Sequence, residues 1–73
     1  MYAVISRNNC VWCDRVREYL KEHTGKEVFQ YKIDEHPILL DFVKAAGFNT
    51  VPVVFHNGVL IGGMEDTRDY IGV

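Results

Sequence analysis

The nineteen residues Tyr2-Ala3-Val4-Ile5-Ser6-Arg7-Asn8-Asn9-Cys10-Val11-Trp12-Cys13-Asp14-Arg15-Val16-Arg17-Glu18-Tyr19-Leu20 change their hydrophobic period halfway, and that change decides the fold. Tyr2 to Ile5 is a short apolar run of buried-strand type, ended by the polar loop Ser6 to Asn9. From Cys10 onward the apolar residues Trp12, Val16, Tyr19 and Leu20 recur at helical spacing, with Asp14, Arg15, Arg17, Glu18, Lys21 and Glu22 on the other face. Thr24 and Gly25 close this helix, glycine being the usual residue for a left-handed cap. Both cysteines of the chain therefore stand where a strand's loop turns into a helix.

Outward from this junction the period changes four more times. Val28 to Ile33 alternates, with Phe29, Tyr31 and Ile33 on one face and Val28, Gln30 and Lys32 on the other, which predicts a second strand. Pro37 suits a first helical turn, and Ile38, Leu39, Phe42, Val43 and Ala46 keep helical spacing until Gly47. Val53 to Phe55 and Val59 to Ile61 flank His56-Asn57-Gly58, where Asn-Gly is a strong hairpin signal. Gly62 and Gly63 release the chain into a last helix, Met64 to Ile71, acidic at its start. The order is β-α-β-α-β-β-α, an α/β domain with a four-stranded mixed sheet flanked by three helices. A helical crossover makes the first two strands parallel neighbours, and the closing hairpin adds an antiparallel pair.

With 73 residues, 48% of them hydrophobic, and a net charge of −2, the chain has room for one core, so residues 1–73 are expected to form a single domain. Its charges are mixed along the chain, with none of the basic stripe that nucleic acid or a membrane surface requires. The longest apolar run, Val51 to Phe55, falls far short of the roughly 20 residues that span a bilayer, and no leader or membrane segment is expected. Small secreted domains carry several cysteines spread along the chain, whereas here two stand three apart, which points to the reducing cytoplasm.

Cysteines three apart at a helix N-terminus can close a tight disulfide. Cys10 faces the unsatisfied N–H groups and the positive end of the helix dipole, which stabilise a thiolate, while Asp14 in the first turn opposes that effect. Cys13, one turn in and on the apolar side, is placed to resolve a mixed disulfide formed by Cys10. A zinc site needs further ligands, and His23, His36 and His56 form no closely spaced pair. A disulfide closing so short a loop removes little chain entropy, so a purely structural role explains the pair poorly.

The order of elements, the Cys-x-x-Cys after the first strand, Thr50-Val51-Pro52 before the third and Gly62-Gly63 after the fourth together resemble a glutaredoxin over nearly the whole chain. The resemblance implies a thioredoxin fold, a glutaredoxin-like domain, Cys10 as nucleophile, Cys13 as resolving thiol, and a cis Val51–Pro52 bond facing them. It departs from the common pattern between the cysteines, where Val11-Trp12 replaces Pro-Tyr. Residues 6–11 and 47–54 are similar to the NrdH-redoxins, electron donors to ribonucleotide reductase that draw on thioredoxin reductase. Gly62-Gly63-Met64-Glu65-Asp66 looks like the glutathione-binding turn of true glutaredoxins, although Glu65 is bulkier than the residue usual there. The short last helix is similar to that of compact virus-encoded glutaredoxins.

The expected activity is thus dithiol–disulfide exchange on protein disulfides, with ribonucleotide reductase as client and glutathione or thioredoxin reductase as electron source. A cytoplasmic monomer is expected, with no bound metal or cofactor and with glutathione as co-substrate. Substrate binding falls to Arg7, Trp12, Thr50, Val51, Pro52, Gly62, Gly63, Glu65 and Asp66. In the glutathione reading Arg7 pairs with the glycine carboxylate, the Val51 backbone holds the cysteinyl part, and the N–H groups after Gly62-Gly63 and the Asp66 carboxylate meet the γ-glutamyl end. Two other classes compete with this reading. One is a carrier of a [2Fe–2S] cluster ligated through one cysteine and glutathione, which the second cysteine disfavours. The other is a non-catalytic binding module, which would depend on Lys or Arg and not on cysteine.

Overall fold

The computed structural model describes residues 1–72; Val73, the last residue of the expected domain, lies outside the described residues. The elements are β1 (Tyr2–Ser6), α1 (Val11–Thr24), β2 (Val28–Lys32), α2 (Ile38–Ala45), β3 (Val53–His56), β4 (Val59–Gly62) and α3 (Met64–Ile71). The order matches the expectation, and the sheet runs β2-β1-β3-β4, with β1 parallel to β2 and antiparallel to β3. β3 and β4 form the expected hairpin, closed by Asn57 and Gly58 at φ 50° and 83°, the pair of positive angles that a two-residue turn between twisted strands requires. This is the thioredoxin arrangement that the resemblance implied.

The alternation of β1 splits the core between the two faces of the sheet. Tyr2 and Val4 pack with Val16 and Leu20 of α1 and Val54 of β3, joined by Ile61, Met64 and Ile71. Ile5 and Val53 point to the other face and pack with Val43 of α2, bordered by Leu39, Phe48 and Phe55. Ser6 is in the strand, not in the loop where its polarity had placed it, and it is fully buried because Gln30 Nε2 donates to its Oγ at 2.8 Å. A satisfied hydroxyl can occupy a core position that an unsatisfied one cannot.

The two helices differ in how completely they hide their apolar residues. α1 buries Cys13, Val16 and Leu20, and Gly25 ends it at φ 64° as expected. Trp12 departs from the expected apolar face: it is 56% exposed, and the Arg15 guanidinium covers its ring at 4.8 Å from the centroid. α2 buries only Val43, and Ile38 and Phe42, which share its helical spacing, are 75% and 48% exposed. Eight residues make a helix of about 12 Å, too short to roof the sheet face beneath it, and Phe29 and Tyr31 of the edge strand β2 are left open as well. No described helix is long and apolar enough to cross a membrane.

Candidate active site

Strand register gathers the expected site at one end of the sheet. Ile5 lies opposite Val53, so the end of β1 meets the segment entering β3, and Val54 lies opposite Gly62, so the end of β4 arrives beside them. The loop to Cys10, the Thr50–Pro52 segment and the Gly62–Gly63 turn are thereby neighbours, although they are far apart in sequence. Arg7, Thr50 and Val51 line one recess together with Ile33, Leu40 and Phe48. Gly63 approaches the Pro52 carbonyl, which stands 3.8 Å from the position a Gly63 Cβ would take. Val51–Pro52 is cis, as the resemblance implied.

Local conformation sets the cysteines. Asn9 adopts a left-handed φ of 54°, a value that asparagine tolerates better than most residues, and the chain turns there into α1. Cys10 is the N-cap, in an extended conformation, and its sulfur accepts the Cys13 N–H at 3.2 Å. A sulfur thus takes the place that a Ser or Asp oxygen usually fills at a helix start. Cys10 and Cys13 are joined by a disulfide, with Cα atoms 5.3 Å apart.

A nucleophilic thiol is expected to be exposed, and Cys10 is not: 7% of it is accessible, against 1% of Cys13. The disulfide and the Cys13 N–H draw its sulfur back onto the first helical turn, so only the order of exposure agrees with the expectation. The side chains that stand out at this helix start are Val11, at 61%, and Trp12.

The second half of the site is built by α3. Asp66 Oδ2 accepts the Gly63 N–H at 3.1 Å, and Thr67 Oγ1 donates to the Gly63 carbonyl at 2.8 Å, so both backbone groups of the N-cap are held by side chains of the first turn. The N–H engaged in this way is that of Gly63 itself, not one of those after Gly62-Gly63 that the glutathione reading assigns to the γ-glutamyl end. Gly62 has φ 130°, and a Cβ on it would lie 2.8 Å from Asp66 Cγ. Arg7, Thr50, Glu65 and Asp66 are exposed, Val51 and Gly63 half-buried, Pro52 and Gly62 buried.

Two contacts beside the cysteines were not anticipated from the sequence. Arg15 stacks on Trp12, and Arg17 bridges Asp14 to Gln30 of β2. Only the three-residue spacing of Asp14 and Arg17 signalled the second of these. Among the described residues no three His, Cys, Asp or Glu side chains gather as a metal-ligand set.

Comparison with known proteins agrees with this geometry. Residues 2–61 match the glutaredoxin family model. The glutaredoxin-like protein NrdH of Lactococcus lactis subsp. cremoris (strain MG1363) is 34% identical over 69 residues, 93% of each chain. Wheat glutaredoxin superposes with a TM-score of 0.83 at 28% identity, over 99% of this chain and 71% of that one. A buckwheat glutaredoxin–glutathione complex gives 0.79 at 26% identity, over 97% and 69%. A thioredoxin fold presenting a Cys-x-x-Cys disulfide at the start of its first helix defines a thiol–disulfide oxidoreductase. The chain belongs to the glutaredoxin family, with an NrdH-type protein among its relatives.

Proposed function

We propose that this protein reduces disulfides of protein clients by a two-thiol cycle, with Cys10 as nucleophile, Cys13 as resolving thiol and ribonucleotide reductase as client. The observation that carries the reading is the Cys10 sulfur at the N-cap of α1, accepting the Cys13 N–H while bonded to Cys13. A donor aimed at the sulfur stabilises negative charge on it more than it stabilises the neutral thiol. In the reduced protein the Cys10 thiolate attacks one sulfur of the client disulfide. That bond breaks, a mixed disulfide forms, and the departing client sulfur takes up a proton. Cys13 loses its proton and attacks the Cys10 sulfur, releasing the second client thiol and closing the disulfide. Two electrons pass from the dithiol to the client.

The client reading rests on the likeness to an NrdH protein over 93% of the chain. Val11 and Trp12 offer an exposed apolar shelf for a client segment beside the nucleophile, and the Val51 backbone suits strand-like pairing with it. Glutathione is proposed as the electron source: two molecules donate two electrons and leave as their disulfide. Supporting this are Arg7 on the rim of the recess that Val51 lines, for one carboxylate, and the Asp66 carboxylate at the start of α3, for the ammonium. A related glutaredoxin is known as its glutathione complex.

The test is NADPH oxidation with a disulfide client, coupled in parallel through glutathione with glutathione reductase and through thioredoxin reductase. Turnover in the glutathione arm is expected, with KM for glutathione raised in Arg7→Ala and in Asp66→Ala by the factor that about 1 kcal/mol per contact implies, roughly fivefold. Turnover only with thioredoxin reductase would overturn the glutathione assignment. Cys13→Ser should trap a mixed disulfide with the client that Cys10→Ser cannot form, and the reverse result would overturn the assignment of the two thiols.

A further inference from the structure

Asp14 follows Cys10 by four residues, so on an α-helix its side chain lies on the same face as the N-cap sulfur, one turn away. Helical side chains lean toward the N-terminus, which would carry an unrestrained Asp14 carboxylate toward Cys10. A negative charge there disfavours the thiolate on which exchange depends.

The structure holds this carboxylate from the other side. Asp14 Oδ1 accepts from Arg17 Nη2 at 3.0 Å, and Arg17 lies three residues further along α1, away from the cysteines. Arg17 is itself anchored, because its Nη1 donates to Gln30 Oε1 and Gln30 Nε2 donates to Ser6 Oγ at 2.8 Å. Gln30 is half-buried on β2 and Ser6 fully buried at the end of β1, so the chain of bonds terminates in the sheet. Arg17 Nε is buried and has no hydrogen-bond partner among the described residues. The guanidinium is placed by two partners at once, Asp14 on its own helix and Gln30 on the sheet, where an arginine merely decorating the surface would have neither anchor. The ion pair is too exposed to add much to stability, and its effect falls on the charge that it neutralises.

We infer that Arg17 is a positioning residue for thiol–disulfide exchange: anchored through Gln30 to Ser6, it draws the Asp14 carboxylate back along α1 and away from the sulfur of Cys10. The inference rests on Cys10 being the nucleophile. The other charged or titratable groups at this end of the sheet include Arg7 in the preceding loop, Arg15 on Trp12, Lys32 opposite Ser6 in register, Asp34 accepting the Asn8 N–H, Glu35 and His36 in the turn after Lys32, and Glu65 and Asp66 at the start of α3. Substitution of Arg17 leaves all of them in place.

The experiment follows iodoacetamide alkylation of the reduced full chain against pH, with the modified residue identified by mass spectrometry. Arg17→Gln should raise the midpoint for Cys10 by about half a pH unit or more, a threefold loss of thiolate below the midpoint. Arg17→Lys, which keeps the charge, should recover most of that shift, and Asp14→Asn should lower the midpoint. In the Asp14→Asn background Arg17→Gln should move the midpoint by less than half as much, since no carboxylate remains to be held. An unchanged midpoint in Arg17→Gln, or an equal shift in both backgrounds, would overturn the inference while leaving Cys10 as nucleophile. Should Arg17→Gln not fold, Gln30→Ala, which removes the anchor of Arg17 on β2, should raise the midpoint in the same direction, and an unchanged midpoint there decides against the inference equally. Alkylation of Cys13 before Cys10 in the unsubstituted protein would overturn both readings.

Discussion

Gly62 shows how much of the site hangs on one backbone angle. At φ 130° a side chain is strained whatever surrounds it, and here a Cβ would also lie 2.8 Å from Asp66 Cγ, displacing the carboxylate that caps Gly63. Gly62→Ala is expected to cost about 1–3 kcal/mol, and Asp66→Ala about 1 kcal/mol through loss of the cap. Because the two residues share one contact, Gly62→Ala should cost less in the Asp66→Ala background than alone, a non-additivity read from urea denaturation midpoints of the four proteins. The sequence marked Gly62, Gly63 and Asp66 as a group through resemblance, but it could not show that Asp66 spends one oxygen on the backbone. The same holds for Trp12, which helical spacing assigned to the core and which instead stands in the first turn under Arg15. Periodicity reports the face a residue occupies on its helix and is silent on whether anything is packed against that turn.

At the scale of elements, α1 and α2 carry equally clear helical patterns and have different fates. Leu20 of α1 is fully buried between the helix and the sheet, whereas Ile38 at the start of α2 is 75% exposed. Leu20→Ala is accordingly expected to destabilise by about 2–5 kcal/mol and Ile38→Ala by no more than about 0.5 kcal/mol, as measured by chemical denaturation of the oxidised protein. β2 repeats the lesson. Its alternation was legible, but its position at the sheet edge under a short α2 leaves the aromatic residues Phe29 and Tyr31 open, while Gln30 faces α1 and receives Arg17. Element type followed from local pattern, and element partners from the order of strands in space.

Across the whole molecule, the end remote from the cysteines is fastened as well. The Tyr2 ring stacks on His56 with centroids 4.2 Å apart, and His56 Nδ1 pairs with Tyr70 Oη at 2.8 Å, joining β1, the hairpin and α3. The Met1 ammonium donates to Asn57 Oδ1 at 2.9 Å, which ties the chain start to the same turn. Burial first, and the neighbouring Tyr70 second, raise the Tyr2 phenol above the ordinary tyrosine value. In the unfolded chain Tyr2 ionises first as pH rises, so its contribution is present in full below about pH 10 and is lost as pH climbs from there through the folded-state value. Unfolding free energy of the oxidised protein should therefore fall as pH rises above about 10, and Tyr2→Phe should flatten that fall. The sequence by itself determined the order of seven elements, the placement of both cysteines at the first helix start and the chemistry of thiol exchange, because each follows from short-range spacing and side-chain type. That Thr50–Pro52 faces the cysteines was implied only by resemblance, and the strand register supplies the physical reason. Tertiary structure alone decided that Arg17 is anchored on Gln30 of β2 and that Trp12 lies open under Arg15, because each depends on what the packed elements place beside α1.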